Sequence, residues 1–255
     1  MFIGDTIFRQ VWNSCRDYNL IEDSDKILVG LSGGKDSMAL IEMLGRMQKR
    51  KAPRFSVVAA HIAMESIEYG VDSEALSNFC ARHGIAYVYQ SVPFEPDPLG
   101  KKPVCFNCAR IRRKTLFQLA ETLQCNKLAL GHNLDDVLET FLLNCTFLGN
   151  ISTMPPLLKL THFNLSIIRP LYRVEESNLV LLANERQYPG KGKRCPYEKA
   201  TNRARMKELL NTLRQMNPRA IPSLFASLSH ILPDYLPPQE KTLPESDEGM
   251  PDLGM

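Results

Sequence analysis

The feature that most narrows the fold is a strand that runs straight into a pair of glycines. Ile27-Leu28-Val29-Gly30-Leu31 is an apolar run, Ser32-Gly33-Gly34-Lys35-Asp36-Ser37 follows, and apolar residues then recur at helical spacing. Strand, glycine turn and amphipathic helix in that order open an α/β chain. The alternation continues. Segments 26–31, 56–62, 86–92, 127–131 and 166–171 read as buried strands, and 36–50, 72–83, 107–123 and 134–148 as helices. Near-continuous apolar strands separated by helices predict an open parallel sheet covered by helices on both faces.

The expected organisation has four parts. Residues 1–20 hold an N-terminal helix (5–18) docked on the body, and 21–190 form the α/β domain. Residues 191–232 hold a cysteine loop and a C-terminal helical extension (199–215 and 221–230). Proline and acidic residues gather in 233–255, which predicts a disordered acidic tail. Loops fall at 93–103, 149–156 and 189–195, where Pro and Gly cluster.

No apolar run approaches the roughly 20 residues of a membrane span. The N-terminus has no basic region followed by an apolar core, so a cytoplasmic protein with no membrane partner is the expectation. The net charge of +3 is uneven: from Asp234 onward six acids face one lysine, leaving +8 on residues 1–233. Such a body is compatible with a polyanionic partner. Seven cysteines in 255 residues do not make a disulfide framework. Cys15, Cys80, Cys125 and Cys145 sit singly in apolar surroundings and read as buried thiols.

In a parallel sheet, ligands bind beyond the carboxyl ends of strands. Gly33 and Gly34 let backbone N–H groups approach an anion, and the helix behind them adds partial positive charge. Ser32 and Ser37 offer hydroxyls, and Lys35 a point charge suited to phosphate. The spacing fits neither the Walker loop nor the dinucleotide fingerprint. A second stretch, Gly131-His132-Asn133-Leu134-Asp135-Asp136, places carboxylates just past a strand end, where they could hold Mg²⁺.

Cys105-Phe106-Asn107-Cys108 opens a helix, and Cys195 lies in a basic loop further on. A redox pair or unrelated thiols are alternatives, but three thiolates leave one position open. That suits a [4Fe–4S] cluster better than a closed four-ligand zinc site. Arg110, Arg112, Arg113 and Lys114 flank one arm. Lys191, Lys193 and Arg194 flank the other, with Lys199, Arg203, Arg205 and Lys207 behind, an arrangement that fits phosphate-backbone contacts.

The S-G-G-K-D-S loop after a first strand resembles the PP-loop of the N-type ATP pyrophosphatases, which adenylate an oxygen and release pyrophosphate. The resemblance implies that Ser32, Gly33, Gly34, Lys35, Asp36 and Ser37 grip the β- and γ-phosphates of ATP. It implies that Gly131 and His132 belong to the nucleotide site, and that the strand end at His61 receives adenine. Lys35, Asp36 and Asp136 are then the catalytic candidates, with Asp36 and Asp136 on Mg²⁺. Cys105-x-x-Cys108-Ala-Arg-Ile-Arg-Arg113, Gly131-His132-x-x-Asp135-Asp136-x-x-Glu139-Thr140, Met154-Pro155-Pro156, Ile168-Arg169-Pro170-Leu171 and Cys195 narrow the resemblance to the iron–sulfur-dependent tRNA thiolases, the TtcA/TtuA group.

That resemblance implies a tRNA thiolase: a pyrimidine C2 oxygen is adenylated and replaced by sulfur, with Cys105, Cys108 and Cys195 as cluster ligands. Arg110, Arg112, Arg113, Lys193 and Arg194 would contact tRNA. The sulfur comes from a cysteine desulfurase or free sulfide, and a homodimer is an allowed assembly. The stretch 105–156 and the absence of terminal zinc modules favour 2-thiocytidine; the single Cys195-Pro196 leaves 2-thiouridine as the alternative. A small-molecule-adenylating enzyme of the same superfamily and a non-catalytic nucleotide-binding iron–sulfur sensor are the other readings.

Overall fold

The computed structural model of the chain describes residues 2–67, 71–96, 104–161, 163–189 and 202–237. The chain packs as two compact units, Met1–Asp135 with Pro155–Lys199, and Asp136–Met154 with Ala200–Met255.

The first unit holds one six-stranded sheet. Its strands are β1 (Lys26–Gly30), β2 (Ser56–Met64), β3 (Ala86–Val92), β4 (Lys127–Ala129), β5 (Leu157–Lys159) and β6 (Ser166–Ile168), in the spatial order β3-β2-β1-β4-β6-β5. Every pairing is parallel except that of β5 with β6. The sequence predicts the five parallel strands and misses β5, whose three residues are half-buried or exposed and show no alternation.

Helices cover both faces. Ile27 and Val29 of β1 and Val57 and Ala59 of β2 point to one face. There they meet α1 (Ile3–Asp17), α2 (Lys35–Gln48), α3 (Ser73–Arg82) and α6 (Glu176–Arg186). Every residue of α2 from Ser37 to Gly45 is buried, because the helix is packed on several sides. Burial at about 1.5–3 kcal/mol for each large apolar side chain therefore anchors α2 more firmly than its propensity would. On the other face, Val104 and Cys108 of α4 (Val104–Thr122) pack with Ile62 and Met64 of β2, Ile67 and Phe94. This helix begins three residues before the predicted start, so both cysteines of the C-x-x-C lie inside it.

Helix α6 is absent from the sequence reading. Only Leu179 and Leu182 of its residues are buried, too few to show a period.

The second unit contains most of α5 (Leu134–Phe147), with α7 (Asn202–Met216), α8 (Ala220–Ser227) and a 3-10 turn, Pro233–Tyr235. That exposed turn stands at the start of the expected disordered tail; residues 238–255 lie outside the described ones. Among the described residues no helix is long and apolar enough to cross a membrane.

Candidate active site

The strand order fixes where a ligand can enter. From β1 the chain crosses through α2 to β2 on one side, while β4 pairs on the other. The loops after β1 and β4 therefore diverge at the carboxyl edge, leaving a crevice at a topological switch point.

The first loop is built for an anion. Gly33 has φ +77°, a backbone conformation side chains rarely adopt. Gly34 is the N-cap of α2 and no side chain caps that helix, so its first-turn amides are available to a ligand. Ser37 Oγ donates to the Gly34 carbonyl at 2.9 Å and lies 3.2 Å from Ser32 Oγ, which knits the loop together. The second loop touches the first at Gly131. A Cβ on Gly131 would stand 3.1 Å from the Ser37 nitrogen and 3.2 Å from the Asp36 carbonyl carbon. The glycine of the Gly131-His132 pair thus lets the two loops meet.

Polar side chains close a ring across these loops. Lys35 Nζ donates to Glu176 Oε1 at 2.8 Å and to Asp36 Oδ2 at 3.2 Å. Asn133 Nδ2 makes a long bond of 3.4 Å to Asp36 Oδ1, and Asn133 Oδ1 accepts from the Asp135 amide at 2.9 Å. Asp135 Oδ2 accepts from the Glu176 amide at 2.7 Å, which returns to the start. Burial opposes the charge on Lys35, but Asp36 and Glu176 outweigh it and raise the ammonium above its ordinary pKa. Glu176 was missed by sequence reasoning. Its only local signal was a pair of acids, Glu175 and Glu176, at the start of a helix that itself went unrecognised.

His61, expected at the adenine edge, is buried in β2, and its Nδ1 lies 2.8 Å from the Leu31 carbonyl. A carbonyl only accepts, so Nδ1 carries the proton. Burial lowers the pKa of this imidazole; the bond to Leu31 opposes the shift and Arg112 adds to it. Of the arginines on α4, Arg110 is exposed while Arg112 and Arg113 are half-buried. Arg169 follows β6, is buried, and donates from Nη1 to the Pro155 carbonyl at 2.6 Å. Burial brings its guanidinium down to about 10, with Tyr172 opposing and Arg113 adding, and it remains a cation at neutral pH.

Cys105 is exposed and Cys108 buried, about one turn apart at the amino end of α4. Cys195, Lys193 and Arg194 lie outside the described residues. Among the described residues no group of three or more histidine, cysteine or acidic side chains could hold a metal ion.

In the second unit, Asp136 occupies the first turn of α5. Further along that helix the Glu139 carboxylate is buried, and Arg203 of α7 reaches it, Nε to Oε2 at 3.6 Å. Arg203 Nη2 also donates to Thr140 Oγ1 at 3.0 Å, and that hydroxyl donates to the Asp136 carbonyl at 2.8 Å.

A glycine loop and an uncapped helix at the switch point of a parallel sheet define a nucleotide-binding α/β protein. Residues 6–213 match the family model of the PP-loop domain, and the chain belongs to that family. It is 35% identical over 244 residues to the tRNA-cytidine(32) 2-sulfurtransferase of Geotalea uraniireducens, covering 92% of this chain and 96% of that one. It is 34% identical over 245 residues to the enzyme of the same name from Geobacter sulfurreducens, covering 92% and 95%. Among solved structures it resembles the U34-tRNA thiolase NcsA of Methanococcus maripaludis with its [4Fe-4S] cluster. That match has a TM-score of 0.70 and 27% identity, over 90% of this chain and 80% of that one.

Proposed function

We infer that this chain is an ATP-dependent tRNA sulfurtransferase that makes 2-thiocytidine, with cytidine 32 as its target. The observation that carries the reading is the near-full-length similarity to tRNA-cytidine(32) 2-sulfurtransferases. The switch-point loop, with its bare helix end, agrees with it.

The first-turn amides of α2, the Ser32 and Ser37 hydroxyls and the Lys35 ammonium would hold the β- and γ-phosphates, stabilising charge as pyrophosphate leaves. Asp36, beside Lys35, would hold Mg²⁺ on those oxygens. The part proposed for Asp136 rests on its motif. The cytidine C2 oxygen attacks the α-phosphorus, the bond to the β-phosphate oxygen breaks, and pyrophosphate departs. Sulfide equivalents then add at C2, the C2–O bond breaks, and AMP leaves with the oxygen.

Cys105 and Cys108 fit a thiolate-bound cluster. They lie about one turn apart at the amino end of α4; Cys195 would be the third ligand. A bound [4Fe–4S] cluster would supply iron able to carry sulfur, which a cysteine desulfurase or free sulfide provides. A basic body and the half-buried and exposed arginines of α4 favour tRNA as the substrate.

The test is anaerobic incubation of the protein with tRNA, ATP, Mg²⁺ and sulfide, followed by mass spectrometry of nucleosides and analysis of nucleotide products. The expected products are 2-thiocytidine, AMP and pyrophosphate. A new 2-thiouridine, the reading that likeness to the U34-tRNA thiolase favours, would change the base alone. ADP and phosphate, or no thionucleoside with an intact cluster, would overturn the reading.

A further inference from the structure

We propose that Glu176 is a positioning residue that acts through Lys35: a built-in counter-ion that competes with the phosphates of the nucleotide for the loop's ammonium. The inference rests on the phosphate-binding reading of the loop and names a residue outside the motifs that carry that reading.

Three observations support it. First, the contact is direct and close, Lys35 Nζ to Glu176 Oε1 at 2.8 Å, shorter than the 3.2 Å to the neighbouring Asp36. Second, Glu176 is held from behind. It is the first residue of α6, and its amide donates to the buried Asp135 carboxylate at 2.7 Å. That bond belongs to the main chain, so it survives a change of the Glu176 side chain. Third, Lys35 is the first residue of the uncapped helix α2, one step beyond Gly34. An anion on those amides needs the same ammonium that Glu176 holds.

The ring contains one ammonium and three carboxylates, those of Asp36, Asp135 and Glu176. A phosphate group entering it displaces Glu176 from Lys35. Glu176 therefore weakens binding of any anion to the resting loop and gives Lys35 back when product pyrophosphate leaves. Both side chains of the pair are about a quarter exposed, 28% and 22%, so the competition has the size of a partly screened ion pair. Its expected effect is about threefold to fivefold in affinity.

The probe is inorganic pyrophosphate, titrated calorimetrically without divalent metal into the full chain, purified anaerobically. Glu176→Gln should bind pyrophosphate about threefold to fivefold more tightly than the unaltered protein. In a Lys35→Met background the same substitution should give no gain, because a purely structural effect would not depend on Lys35. Glu176→Asp, which draws the carboxylate back by one methylene, should lie between and serves as the check if the glutamine variant folds poorly. Equal or weaker binding by Glu176→Gln, or a gain that persists without Lys35, would overturn the inference and leave the nucleotide site standing. No pyrophosphate binding by any folded variant would overturn both.

Discussion

A single imidazole holds the floor of the phosphate loop. His61 bonds the carbonyl of Leu31, the residue just before Ser32, from Nδ1, and its ring is buried in β2, where the neutral form is favoured. Burial holds its pKa below the ordinary value of 6.5. Protonation therefore favours the unfolded chain. This contribution to stability is complete above about pH 6.5 and is lost as pH falls below it, by at most about 1.4 kcal/mol per unit. His83, also depressed by burial, adds with the same sign. Replacing His61 with Asn keeps a donor without a titrating ring. Urea denaturation at pH 7.5 and 5.5 should show a stability difference smaller by up to about 1 kcal/mol than in the unaltered protein. Identical differences would remove His61 from the pH response. The loop itself was readable in sequence because an apolar strand that runs into two glycines and then a helical period marks a strand–turn–helix junction. Glu176 was not readable, because its partner Lys35 lies 141 residues away and nothing local marks the pair.

At the scale of elements, the parallel strands were legible as apolar runs because both faces of the sheet are covered. Strand β5 and helix α6 were not, since a three-residue edge strand and a helix with two buried residues have no period to detect. The inward contacts of Arg203 were not legible for a related reason. In sequence it belongs to a basic face behind Cys195. In the fold it turns inward from α7 and meets the buried carboxylate of Glu139 and the hydroxyl of Thr140 on α5. It thus fixes the helix that resumes seven residues after Cys195 to the helix that carries Asp136. Taking a cation from a buried carboxylate costs more than the pair is worth in water. Arg203→Ala should destabilise the protein by about 1–3 kcal/mol, and Glu139→Gln should recover part of that loss in the Arg203→Ala background. A double-mutant cycle on urea midpoints measures the coupling. Additive losses would mean that the two helices are held together by other contacts.

Charge is the property that belongs to the whole molecule. Residues 238–255 carry five acids and one lysine, a net −4, so the remainder of the chain carries +7. The described residues just before them bury little: Ile231, Leu232, Tyr235 and Leu236 are all exposed. If tRNA is the substrate, the like charge of the acidic end opposes its approach through solvent. Repulsion of that kind acts over about 10 Å at 0.1 M salt and weakens as salt rises. A chain ending at Pro237 should therefore bind tRNA a few-fold more tightly at about 50 mM KCl. The advantage should shrink toward nothing at about 300 mM KCl, where the Debye length is shorter. Filter binding at both salt concentrations reads the difference, and calorimetric titration with Mg-ATP in the absence of tRNA reports whether the nucleotide site is intact. Weaker tRNA binding by the shortened chain would mean that the acidic end itself contacts the RNA or orders the surface that does. Loss of ATP binding would mean that the end supports the fold around the loop.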